Sequence, residues 1–185
     1  MKQFTYVIEH MEPEITGWPE LEYKNMLKHV KLHLSHLDPN LKNNMPESLK
    51  GAQVSTDSVS EWPKEVQQRV LLLDPASPHE LSPEDAENYD YLLFGGILGD
   101  DPPQDRTKHL GPKQMTTDTA VLVSQRVLEH GIKLSDLEFV DFPEIPLGKK
   151  QTVELPFRYL VENGKPKLPD GLLDLLRKQN DEPLF

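Results

Sequence analysis

Cysteine is absent from these 185 residues. That excludes disulfide frameworks, cysteine nucleophiles and thiolate metal sites, and it fits a reducing compartment. Long apolar runs are missing too, and the first residues lack the basic-then-apolar form of a secretory leader. A cytoplasmic protein is the expectation. Neither G-x-G-x-x-G nor G-x-x-x-x-G-K-[ST] occurs, which disfavours a Rossmann dinucleotide site and a P-loop. There is no G-x-S-x-G, so acyl transfer has no support. Positive charge is scarce as well: 20 Lys and Arg stand against 31 Asp and Glu, a net charge of −11. Nucleic-acid affinity comes largely from neutralised phosphates, so an acidic chain suits a basic protein better than RNA. Lys28, Lys31, Lys149 and Lys150 are the candidates for a basic patch, and a solvated surface is their default reading.

Proline is plentiful, with 17 residues, and predicts long loops. The length suits one domain over 1–185. Phe4, Tyr6 and Ile8 alternate with polar or smaller neighbours and predict a strand over 3–10. GWPELEYKNMLKHV predicts a helix with Pro19 in its first turn and Leu21, Met26 or Leu27, and Val30 on its inner face. KLHLSHL predicts a second strand, and 38–68 reads as connection with a helical piece near 61–68. RVLLLDP, YLLFGG and LEFVDFP (69–75, 91–96, 137–143) predict buried strands. Helices are expected over 82–89, with Ser82 as cap, and over 116–131, with an apolar face through Ala120, Val123, Val127 and Leu128 and a stop at Gly131. LPFRYLVENG (155–164) and the final LPDGLLDLLRKQ read as two more helices. Strands alternating with helices predict an α/β fold with a mostly parallel sheet flanked by helices.

In such folds ligands sit where loops open at the carboxyl ends of strands. LLLDPASPH, FGGILGDDPPQDRT and DFPEIPLGKKQT each follow an apolar run and are rich in Pro, Gly and acids. Three converging loops without a phosphate cradle point to a ligand held by backbone groups and apolar packing, such as a nucleoside. No metal is expected. DDPPQD lacks the spacing and glycine of a calcium loop, and His33 and His36 fall on opposite faces of their predicted strand.

FGGILGD, KQMTTDTA (113–120), FVDFPEI and ELPFRY together resemble the SPOUT, or trefoil-knot, methyltransferases. The likeness is nearest to the fungal branch that methylates an arginine on a small-subunit ribosomal protein. It runs from YVIEHME to PDGLLDLL, and this chain has only HLGP between DRTK and KQMTTDTA, where relatives of the branch have more. The resemblance implies a knotted cofactor region over 69–165, a helix and tail over 166–185, S-adenosylmethionine as methyl donor and a protein-arginine N-methyltransferase activity. A monomer is expected, with a homodimer open. Two other classes stay open: an RNA methyltransferase of the same fold, and a binding module that has lost the donor site.

Carried onto this sequence, the donor loops are Leu72, Leu73, Asp74 and Pro75; Phe94, Gly95, Gly96, Ile97, Leu98 and Gly99 up to Asp100; and Phe142, Pro143, Glu144, Ile145, Pro146, Leu147 and Gly148. Gly95 and Gly96 would let the strand end approach the donor, although a tight turn also explains them. Thr116 and Thr117 are either donor contacts or, with Asp118, an ordinary helix start. The sulfonium is an activated donor, so the chemistry asks mainly for an aimed nucleophile. A guanidinium is protonated, with a pKa of roughly 12.5–13.8. Carboxylates hold its fork bidentately and favour one nitrogen for attack. Asp100 and Glu144 are the first candidates, Asp105 and Glu154 the next, with Asp101 beside them. Arg106 could settle charge near the methyl group or brace its loop through Asp105 or Asp101, and bracing is preferred. Arg158 is expected to pair with an acid in a stabilising role.

Overall fold

Six parallel strands form the frame, in the order β3-β2-β1-β5-β4-β6. They are β1 (Thr5–Glu9), β2 (Lys31–Ser35), β3 (Gln53–Val54), β4 (Val70–Leu73), β5 (Tyr91–Phe94) and β6 (Thr107–Lys108). The structure, a computed structural model, describes residues 2–95 and 106–181. The helices are α1 (Gly17–Leu27), α2 (Pro39–Asn43), α3 (Lys64–Gln67), α4 (Thr117–Leu128) and α5 (Leu172–Asp181). Strands β1 and β5 lie at the centre and are buried on both faces, as parallel strands covered on two sides must be. Phe4, Tyr6, Ile8, Leu92 and Phe94 belong to the main core with Val123 and Val127 of α4. Val7, Val70 and Leu93 face the other way, beneath Val59 and Trp62.

The expected α4 forms as read. Thr116 precedes it with extended backbone, and Val121, Leu122, Val123, Val127 and Leu128 are all buried. Gly131 adopts a φ of 70°, the left-handed turn that ends the helix. The 82–89 segment differs in detail: it is a 3₁₀ turn, Pro83–Glu87, with the Ser82 amide donating to Asp85 at 2.9 Å.

Two expectations are corrected. LPFRYLVENG is not a helix. Arg158–Glu162 is a strand, β10, antiparallel to β7 (Phe139–Asp141) on one side and to β11 (Lys165–Pro166) on the other. Its turn is Asn163-Gly164, with φ of 55° and 74°. Two positive φ values in succession make the tight hairpin turn that Asn-Gly favours. The same pairing corrects 137–143. The strand there is three residues long, only partly buried, and belongs to this small sheet rather than to the parallel one. Arg158 joins the two strands as expected: its Nε and Nη2 donate to Asp141 Oδ1 and Oδ2 at 2.6 and 3.1 Å.

A further hairpin pairs β8 (Glu144–Pro146) with β9 (Thr152–Glu154). Ile145, Leu147 and Leu155 turn inward to meet Tyr159, Leu172 and Leu176 in a second apolar cluster. That cluster docks α5 and the hairpin beside Trp18 of α1.

Candidate functional site

Helices that follow parallel strands begin beyond the strands' carboxyl ends, so the first turns of α1 and α4 share one edge of the molecule. Between them lies a cavity of about 520 Å³, within the roughly 300–1,000 Å³ of small-molecule sites. Trp18 and Glu22 come from one face of α1, four residues apart, and Thr116 and Thr117 from the start of α4. The hairpin and β10 close the remaining side with Glu154, Leu155 and Phe157. Most of the wall is apolar. Glu22 lies inside it and Glu154 is exposed at its mouth.

Glu22 sits in an unusual setting. It is only 9% exposed, and its neighbour Asp118 is 1% exposed. Asp118 Oδ1 accepts from Thr116 Oγ1 at 2.7 Å, and Oδ2 accepts from Asn25 Nδ2 at 3.3 Å. Burial first, and then the adjacent Asp118, push the Glu22 carboxyl up to about 8. A hydrogen bond from Trp18 works against that rise. Two carboxyls this close cannot both ionise cheaply in a low dielectric, which is why Glu22 holds its proton. Tyr159 stands by the pair. It is fully buried, its hydroxyl has no hydrogen-bond partner among the described residues, and burial with Asp118 and Glu22 raises its pKa.

The structure sorts the expected site residues into groups. Leu72, Leu73 and Phe94 end adjacent strands, with Leu73 opposite Phe94, and Asp74 Oδ1 accepts from the Ala76 amide at 2.9 Å to set the turn at Pro75. Gly95 has a φ of 70° and open space where a Cβ would point, so its backbone alone calls for glycine. Gly96, Ile97, Leu98, Gly99, Asp100, Asp101 and Asp105 lie outside the described residues. Thr116 starts α4, as the helix reading expects, and both Thr116 and Thr117 line the cavity.

The 142–148 segment divides by alternation. Pro143, Ile145 and Leu147 are buried, whereas Phe142, Glu144, Pro146 and Gly148 are exposed. Phe142 is 47% exposed at a φ of 50°, a backbone that bulky residues rarely adopt. Glu144 lies directly opposite Glu154. The bonds from Leu155 N to Pro143 O and from Leu147 N to Gln151 O flank that pair, which makes it a non-hydrogen-bonded one. In such pairs the side chains approach most closely, and here both are acidic. Arg106 is not among the residues lining the cavity, and its Nη1 donates to the Gln67 carbonyl at 2.6 Å; the expected bracing through Asp105 or Asp101 lies outside the described residues.

Sequence reasoning missed Trp18, Glu22, Phe157 and Tyr159. A signal existed for Glu22, since Glu22, Asn25 and Met26 share one helical face and all are buried. Two polar residues at inward spacing mark a helix face that meets something polar.

Residues 5–182 match the family model described as "Protein arginine N-methyltransferase SFM1-like". Among curated proteins, the protein arginine N-methyltransferase SFM1 of Saccharomyces cerevisiae is 39% identical over 206 aligned residues, covering 97% of this chain and 97% of the relative. The crystal structure of yeast arginine methyltransferase SFM1 complexed with SAM superposes with a TM-score of 0.84 at 37% identity, covering 98% of this chain and 93% of that one. A dual-specific Trm10 from Thermococcus kodakaraensis shares the fold at 16% identity, with a TM-score of 0.52 over 73% of this chain and 96% of that one.

Proposed function

The chain belongs to the SFM1-like family of protein arginine N-methyltransferases, and from that premise we propose that it transfers methyl from S-adenosylmethionine to an arginine of a basic small-subunit ribosomal protein. The observation that carries the activity is the end-to-end match to yeast SFM1, whose solved structure is a complex with the donor. The net charge of −11 supports a basic protein as substrate. A C-terminal trefoil knot is part of this reading. It is supported by a sheet order in which β6, next after β5 in sequence, lies beyond β4 rather than beside β5.

The residues present fit the donor. The apposed ends of β4 and β5 set Leu72, Leu73 and Phe94 beside Gly95, whose left-handed backbone turns the chain there. When bound, S-adenosylmethionine supplies a methyl group on a positively charged sulfur. In transfer the sulfur–methyl bond breaks, its electrons stay on sulfur, and a nitrogen–methyl bond forms at the guanidinium. The proton shed by that nitrogen passes to a carboxylate and on to water.

The test uses radiolabelled S-adenosylmethionine, purified protein, and small-subunit proteins and rRNA offered separately. Label in one basic protein, lost when its target arginine becomes lysine, is the expected result. Label in rRNA would overturn the substrate while leaving methyl transfer standing. Donor binding without transfer to any acceptor, or no binding at all, would leave the binding-module reading.

A further inference from the structure

The cavity between α1, α4 and the β8–β9 hairpin has four features in and around it. Its walls carry two aromatic rings, Trp18 and Phe157, among Pro19, Leu155 and Leu176. One buried carboxyl, Glu22, opens into it against Asp118, and that pair has no Lys or Arg partner among the described residues. Behind them the fully buried Tyr159 hydroxyl lacks any hydrogen-bond partner there and feels both acids. Glu154 lines the cavity from an exposed position, and Glu144 opposes it on the adjacent strand.

The acids and the rings each leave something unmet, and one ligand meets both. Two buried acids side by side with no Lys or Arg partner among the described residues are costly until a cation meets them. A like-charged cross-strand pair is destabilising until a cation sits against it. Aromatic rings beside carboxylates suit a flat, delocalised cation, which stacks on their faces while its edge donates hydrogen bonds. An ammonium would meet the charge but not the stacking or the fork.

We propose that this cavity seats the side chain of the target arginine, its guanidinium packed against Trp18 and Phe157 and hydrogen-bonded to Glu22 within and Glu154 at the mouth. The inference rests on the arginine methyltransferase reading and assigns that reading its acceptor site. Glu154 and Glu22 are then specificity-determining residues, and Glu144 draws the cation to the mouth. On this assignment the donor contacts are those at the ends of β4 and β5, none of which lines this cavity, so the two halves of the reaction are separable by mutation.

The test is a titration of the full-length protein with N-acetyl-arginine amide, followed by NMR of the tryptophan indole N–H signals. Trp18→Phe assigns the Trp18 signal and serves as the second variant. The arginine amide is expected to shift that signal, and N-acetyl-lysine amide to shift it far less. Glu154→Gln, folded as judged by an otherwise unchanged spectrum, weakens the arginine titration about tenfold and raises KM for the protein substrate by a similar factor. Its affinity for S-adenosylmethionine by calorimetry stays unchanged. If S-adenosylhomocysteine moves the Trp18 signal and Glu154→Gln weakens donor binding, the cavity is the donor's and the inference fails. No response to the arginine amide at millimolar concentrations, with donor binding intact, overturns it as well. Failure of methyl transfer to any arginine would be read separately, in the radiolabel assay, and would remove the premise instead.

Discussion

Glu22 shows how a single side chain acquires properties its type does not have. An exposed glutamate is charged at neutral pH, but Glu22 is buried against Asp118, and its carboxyl keeps a proton up to about pH 8. The consequence for stability has a definite sign. In the unfolded chain the group loses its proton near its ordinary pKa, while in the folded protein it holds on. The folded state therefore binds more protons between those two values, and stability falls as pH rises through that window. Glu22→Gln removes the titration. The variant should match the parent in thermal unfolding near pH 4 and exceed it near pH 8.5, with Tm higher by about 3 °C or more, as a difference of about 1 kcal/mol would give in a chain of this size. A parent that melts higher at pH 8.5 than Glu22→Gln would refute the assignment. Tyr159 has the opposite simplicity. Its hydroxyl has no partner among the described residues, so Tyr159→Phe should leave the urea midpoint unchanged or raise it, by up to about 1 kcal/mol.

At the scale of elements, the β8–β9 hairpin places function and stability in opposition. Its inner face is apolar and docks on α5, while its outer face sets Glu144 against Glu154. Glu144→Lys turns repulsion into an attractive cross-strand pair and should stabilise by about 0.2–1 kcal/mol. The same lysine repels a cationic substrate, so methylation should show a raised KM with kcat little changed. A melt and a substrate titration on one preparation check both halves. The β10–β11 turn makes a further prediction. Gly164 has a φ of 74°, and Gly164→Val should cost about 1–2 kcal/mol through backbone strain, measured by urea unfolding.

For the whole molecule, the excess of acids sets a long-range field rather than a contact. The net charge of −11 should speed encounter with a basic substrate and screen away with salt. Between about 0.05 M and 0.3 M salt, where the Debye length falls from roughly 14 to 6 Å, kcat/KM should drop severalfold while S-adenosylmethionine affinity holds nearly constant. An rRNA substrate would need a basic stripe to meet its phosphates. The lysines once considered for one are engaged or scattered, with Lys28 bonded to Asp170 at 2.5 Å and Lys149 and Lys150 both exposed.

Much of this organisation could be read without coordinates, because local physics decides it. β1, β2, β4 and β5 announce themselves as short apolar runs between turn residues, and α4 by its cap, apolar stripe and glycine stop. β10 failed because LPFRYLVENG is too short for its period to separate helix from strand. The Asn-Gly at its end held the answer, since two positive φ values fit a hairpin and not a helix. Thr116, Thr117 and Glu154 could be named from sequence, and the structure does bring them to one cavity. Glu22 and Tyr159 could not be named. Their character comes from Asp118, and only the packing of α1 on α4 brings residues such as Asn25 and Asp118, 93 positions apart, into contact. Composition, patterning and motif determined the fold class, the family and the sign of the charge, since each depends on residues near in sequence or on their sum. Which acids are buried, which oppose one another and which ring lies beside them was decided by tertiary structure alone, because burial and pairing are properties of neighbours in space.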